Sequence, residues 1–143
     1  MRELMPLLAQ EGLSADRIAL FARRLRRADH ALENVVDAAA AQCSSEPWMK
    51  RAPIVFNVRQ FRKLPGEVAL RLLGRAIRHV GRETDLRLGK LEALYETLAR
   101  AFSGGAAKSG SRFRLRQTLA GALVTLGGSR LVIEPAPPRT RRL

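Results

Sequence analysis

The sequence predicts a mainly α protein: a small helical bundle with a C-terminal antiparallel β-hairpin as an appendage. Three observations carry that expectation. The chain has 143 residues, 46% of them hydrophobic, enough for one domain with a real core. Up to residue 103, apolar residues recur every three or four positions in three separate stretches, the period of a helix face. After residue 111 the period falls to two, and Leu123-Val124-Thr125-Leu126, Gly127-Gly128 and Leu131-Val132-Ile133 have the form of strand, turn and strand.

The first helix opens at Ser14, an N-cap residue, with Asp16 in the first turn where the helix dipole favours negative charge. Ile18, Phe21, Leu25, Ala28, Leu32, Val35 and Ala39 then form a narrow apolar seam to about Gln42, suited to packing on another helix. Arg23-Arg24-Leu25-Arg26-Arg27 is followed by Asp29, Glu33 and Asp37, so this face is expected to be solvated and salt-bridged. Residues 43–53 form a loop. Its Trp48, the single tryptophan, is expected to plug the core; a base-stacking platform is the alternative, but no second aromatic flanks it in sequence. Ile54, Val55, Phe56 and Val58 suggest an extended segment ending near Arg59.

A second helix is expected from Pro65, with Glu67 behind it and Gly81 as its stop. Its apolar side comprises Ala69, Leu72, Leu73, Ala76, Ile77 and Val80. A third starts near Thr84 or Asp85 and turns Leu88, Leu91, Leu94, Tyr95, Leu98 and Phe102 inward. Gly, Ser and Ala dominate from Ser103 to Ser111, as in a flexible linker. Arg112-Phe113-Arg114-Leu115-Arg116 alternates as a half-buried strand does. The expected organisation is therefore a helical domain over 1–103, a linker over 104–111, the hairpin appendage over 112–134 and a disordered basic tail over 135–143.

Catalytic equipment is missing from this pattern. His30 and His79 lie far apart, and no spacing of Cys or His resembles a metal site. Cys43 is alone, so no internal disulfide forms, and a structural thiol in a reducing setting is expected. Ser103-Gly104-Gly105 starts like a pyrophosphate loop, but Ala107 and Lys108 stand where Asp and Ser belong. Ala107-Lys108-Ser109 lacks the glycine that a Walker loop places before its lysine. Both stretches also follow a helix, whereas such loops follow a strand so that N–H groups converge on phosphate. Met1-Arg2-Glu3-Leu4-Met5-Pro6 does not have the form of a signal peptide, and no apolar run approaches the roughly 20 residues of a membrane span. A cytoplasmic protein without membrane partners is expected.

Charge supplies the constructive signal. Net charge is +13, and the sequence pI is about 11.6. Residues 1–49 hold six Arg against seven acids, so the whole excess lies after residue 49. Arg71, Arg75, Arg78 and Arg82 are spaced 4, 3 and 4, within about 60° of one another opposite the apolar side of the second helix. No acid stands between Glu67 and Glu83, so phosphates or a partner's carboxylates would relieve the mutual repulsion. With Arg59, Arg62, Lys63, Arg112, Arg114 and Arg116 they form the candidate phosphate-tracking set. Charge alone does not separate RNA from DNA, and a solvated arginine face is the bland alternative.

Leu4-Met5-Pro6-Leu7-Leu8, Glu11-Gly12-Leu13, and Leu64-Pro65 with Glu67-Val68-Ala69-Leu70-Arg71-Leu72-Leu73 resemble the region after the catalytic domain of tRNA(Ile)-lysidine synthetases. Arg87-Leu88-Gly89-Lys90-Leu91-Glu92-Ala93-Leu94, Thr118-Leu119-Ala120-Gly121-Ala122 and Glu134-Pro135-Ala136-Pro137 continue the likeness in collinear order. The resemblance implies a C-terminal portion that grips tRNA. The partner domain it implies is an N-terminal pyrophosphate-loop domain that uses ATP, with Mg, to join lysine to the wobble cytidine. That domain and its Ser-Gly-Gly-x-Asp-Ser motif have no counterpart here, so the resemblance carries over no catalytic residue and no cofactor for this fragment. Met1 would then be an introduced start or an internal methionine. A stand-alone DNA- or ribosome-binding protein and a protein-interaction module are the rival functions. Oligomeric state is left open.

Overall fold

The computed structural model describes Gln10, Gly12, residues 14–103 and residues 115–139. The elements are α1 (Ala15–Cys43), β1 (Ile54–Asn57), α2 (Val58–Phe61), α3 (Gly66–Val80), α4 (Leu88–Ser103), β2 (Leu115–Leu119), β3 (Ala122–Gly127) and β4 (Arg130–Pro135). The architecture is mainly α with a C-terminal antiparallel hairpin. Two compact units divide the chain, Met1–Val35 and Val36–Leu143, and α1 runs through both.

In the first unit, Ser14 caps α1 as expected: its Oγ accepts from the Arg17 N–H at 3.2 Å, and its carbonyl accepts from Ile18 at 3.0 Å. The expected apolar seam is largely open. Phe21 is 63% and Leu25 54% exposed, so α1 does not bury this face among the described residues. Burial on α1 begins only at Val36 and continues through Ala39, Ala40 and Cys43, all in the second unit.

The second unit is built on α3. Its capping and ends agree with the sequence: Pro65 precedes it, the Pro65 carbonyl accepts from Ala69 at 2.9 Å, and Gly81 closes it. All six foreseen apolar positions are buried, as are Val68 and Gly74. Each fully buried Leu or Ile contributes about 1.5–3 kcal/mol, and Leu72, Leu73 and Ile77 are all fully enclosed. The helix packs on α4 and on strands β3 and β4.

The hairpin continues on both sides into a four-stranded antiparallel sheet of order β1-β4-β3-β2. Ile54 faces Ile133, which faces Val124; Phe56 faces Leu131, which faces Leu126. These six side chains therefore share one face, and each is no more than 2% exposed beneath the helices. The opposite face carries Val55, Arg116, Thr125 and Arg130 and is open except at Leu123.

Several local expectations change. The β3–β4 turn is Gly128-Ser129, one residue later than Gly127-Gly128, because Gly127 pairs with Arg130 in the ladder. The extended segment stops at Asn57, whose side chain accepts from the Gln60 N–H at 3.2 Å and starts the single turn α2. The third helix begins at Leu88, not Thr84 or Asp85, and Leu88 is 62% exposed rather than inward. Residues 82–87 instead carry the chain from the end of α3 to α4, and the Arg87 carbonyl accepts from Lys90 and Leu91 at 3.1 Å each. The expected strand over 112–116 is described from Leu115 onward, as β2, and pairs with β3 through Leu119. The linker at 104–111 and the last four residues of the tail lie outside the described residues. Before them, Ala136 donates to the Gly121 carbonyl at 2.8 Å.

The β2–β3 turn, Ala120-Gly121, has φ of 50° and 78°, the left-handed pair that suits a two-residue hairpin. It also presses on the end of α3. A Cβ added at Gly121 would sit 2.7 Å from the Arg82 amide nitrogen, and one at Gly81 would sit 2.3 Å from the Ala120 carbonyl oxygen. Gly121→Ala is therefore expected to lower stability by more than about 2 kcal/mol, combining left-handed strain with collision against backbone. Gly128→Ala, with φ 58° but open space around it, should cost about 1 kcal/mol. Gly89→Ala, in the first turn of α4 with nothing within 4 Å, should be neutral or stabilising by up to about 1 kcal/mol. Urea unfolding of the three variants checks this ranking.

Candidate nucleic-acid interface

The arginine stripe is placed by the same periodicity that buries the opposite side of α3. Arg71 and Arg75 are half-buried at the flank of the helix, while Arg78 is exposed. Arg82 lies beyond the Gly81 cap, so it extends the stripe past the helix rather than along it. The stripe is also less naked than its sequence suggests. Arg71 Nε donates to Glu67 at 2.9 Å one turn earlier. Arg75 Nη1 donates to Asp37 Oδ1 at 2.5 Å, across 38 residues of chain. Asp37 belongs to the acidic series expected to keep its own helix face solvated and salt-bridged; in the fold it reaches α3.

Arg59, Arg62 and Lys63 are exposed on and just after α2. The Val58 N–H donates to the Ser129 carbonyl at 3.0 Å, and Asn57 pairs with Arg130. This brings Arg130 to the same end of the sheet, a cation that residue spacing had not singled out. Only the strand register, formed over more than 70 residues of separation, reveals it. Arg116 is exposed on the sheet face that the helices leave open. The candidate set is thus not one plane: α3 presents its arginines from the helical layer, and Arg116 from the opposite face. Arg112 and Arg114 lie outside the described residues.

A shallow groove of about 490 Å³ adjoins the stripe, lined by Glu46, Pro47, Trp48, Arg75 and His79. Trp48 plugs the core edge as expected, with its ring edge-on to the fully buried Phe56 at 6.0 Å between centroids. The fold also supplies the aromatic neighbour missing from the local sequence. The His79 ring lies 5.6 Å from Trp48 at 67°, and its Nε2 is 3.2 Å from the Met49 carbonyl oxygen.

Cys43 is buried and burial pushes its thiol pKa up, so little reactive thiolate is present near neutral pH. Among the described residues no group of three or more His, Cys, Asp or Glu is placed to hold a metal ion, and no helix is long and apolar enough to cross a membrane. What the surface can do is contact anions through exposed guanidiniums on a rigid helix.

The resemblance noted in the sequence is borne out by comparison with known proteins. A tRNA(Ile)-lysidine synthase of Rhodopseudomonas palustris is 44% identical over 143 residues, covering 100% of this chain and 41% of that protein. One from Bradyrhizobium sp. strain BTAi1 is 46% identical over 153 residues, covering 99% of the chain and 42% of its own length. One from Methylobacterium nodulans is 41% identical over 142 residues, covering 97% and 40%. The chain therefore spans about two-fifths of the length of these relatives. No family model and no solved structure matches.

The Asp37–Arg75 pair makes a direct test possible. Asp37 is 66% exposed, so Asp37→Asn should change stability by no more than about 1 kcal/mol. By removing a carboxylate beside the stripe, it should strengthen binding to a polyanion and steepen the dependence of log affinity on log salt, by at most about 0.9. Heparin or RNA titration across a salt series measures both.

Proposed function

We propose that this chain, similar over its whole length to part of the tRNA(Ile)-lysidine synthases, is their non-catalytic, tRNA-holding C-terminal region. The carrying observation is the full-length similarity to enzymes named for a tRNA substrate, joined to a cationic excess confined to residues 50–143. In this reading a separate N-terminal pyrophosphate-loop domain activates the wobble cytidine with ATP and Mg and ligates lysine to it, in the cytoplasm. The present chain supplies positioning: phosphate contacts fix the register of the tRNA without reading its sequence. Arg78 and Arg82, exposed at the C-terminal end of α3, are the leading phosphate ligands. Arg59, Arg62, Lys63 and Arg130 offer a second contact region. Arg71 and Arg75, each held by a carboxylate, serve more to shape the surface than to bind.

Three measurements test this reading. The pure chain should show no lysine-dependent ATP turnover. Arg78→Gln with Arg82→Gln should weaken tRNA binding and flatten the salt dependence by up to about 0.9 per lost contact, while stability moves by no more than roughly 0.5 kcal/mol for each exposed site. Arg23→Gln with Arg24→Gln is the comparison pair on α1 and should matter less. Unchanged affinity and slope in the α3 pair, with loss in the α1 pair, would move the interface off α3. Equal affinity for tRNA, duplex DNA and unstructured RNA at fixed salt would favour a general polyanion binder instead.

A further inference from the structure

The groove beside the stripe has features that phosphate contacts do not use. Trp48 is held from three directions: its Nε1–H donates to Ser44 Oγ at 2.9 Å, Phe56 meets it edge-on, and His79 stands beside it. Ser44 is itself fixed, donating through Oγ to the Ala40 carbonyl at 2.7 Å. The indole N–H is thus consumed inside the protein. The half-buried ring still lines the groove, on a mount that loses little entropy when a ligand arrives.

Around that ring stand a guanidinium, an imidazole and a carboxylate. Arg75, Nη1 on Asp37, keeps its side chain 32% exposed at the groove wall. His79 and Glu46 are exposed. An aromatic mount with charged and polar side chains at its rim suits a flat, polar-edged heterocycle. Within a fully paired helix the base faces are covered by stacking on one another, so none is free to insert there. Stacking on an aromatic side chain is available to any base that is unpaired.

We propose that the Trp48–His79–Arg75 groove is a subsite for one unpaired nucleobase of the bound RNA, stacked on Trp48. This rests on the tRNA-binding reading above and adds to it a contact that the cationic surface cannot make. Trp48 would then serve both as a plug, through Phe56, and as a platform on its open side.

Trp48 is the only tryptophan, so its fluorescence reports the groove directly. The 143-residue chain is titrated with a tRNA(Ile) transcript, an unstructured 12-nucleotide RNA and a blunt RNA duplex, with affinity followed in parallel by filter binding. Quenching by tRNA and by the single strand, but not by the duplex, is the expected result. Trp48→Leu, which keeps an apolar plug, should weaken tRNA binding between about 5-fold and about 100-fold. Trp48→Phe keeps a ring and should lose less, and circular dichroism checks that both variants are folded. If tRNA binds with its salt dependence intact while fluorescence is unchanged and Trp48→Leu binds as tightly as the parent, the subsite is overturned and the tRNA-binding reading stands. Equal quenching by the blunt duplex also overturns it. If no RNA binds at all, both readings fall together.

Discussion

The buried side of α3 is the interaction on which the rest of this structure depends. Leu72, Leu73, Ala76 and Ile77 are fully enclosed, and the helix packs on α4 and on strands β3 and β4. Close approach is built into that packing by small residues. At Gly74 a Cβ would come within 2.8 Å of Leu91 on α4. Where α3 ends, Gly81 and Gly121 let two backbones meet with no side chain between them. Because interiors pack at crystal-like density, these contacts fix α3 against α4 at Gly74 and against the sheet's β2–β3 turn at Gly81 and Gly121. Everything exposed on α3 inherits that rigidity, including Arg78 and the flanks at Arg71 and Arg75.

Rigidity of this kind is what a positioning surface needs. A long flexible arginine gains little by meeting a phosphate if its backbone must be ordered at the same time. Here the backbone is ordered by burial on the opposite side. The two carboxylates Glu67 and Asp37 engage the half-buried arginines, while Arg78 and Arg82 are exposed at and just beyond the end of α3.

The groove at Trp48 shows how one residue can satisfy two demands. Its position against Phe56 is explained by core packing alone. The ring of His79, one α3 turn beyond Arg75, is not required by that packing, since it is exposed. Its place beside Trp48 follows from the helix register that also sets the arginine stripe. Core, stripe and groove are three consequences of one helix orientation.

Periodicity by itself determined α3 almost residue for residue, because an amphipathic helix with a proline start and a glycine stop states both its ends and its buried side locally. The Ser14 cap, the hairpin strands and the placement of Arg78 on an exposed face were legible for the same reason. Other features depended on partners distant in sequence. The pairing of β1 with β4, which brings Arg130 beside Asn57, joins segments more than 70 residues apart. The capture of Arg75 by Asp37, and the arrival of His79 at Trp48, likewise exist only once α1, the 43–53 loop and α3 are assembled. The seam on α1 is the converse case: its spacing announces a face to be buried, yet Phe21 and Leu25 stay exposed among the described residues. A sequence pattern specifies which side of an element is apolar. Whether a surface arrives to cover it, and which charges meet across space, is decided by tertiary packing, whose energies come from contacts that no local window contains.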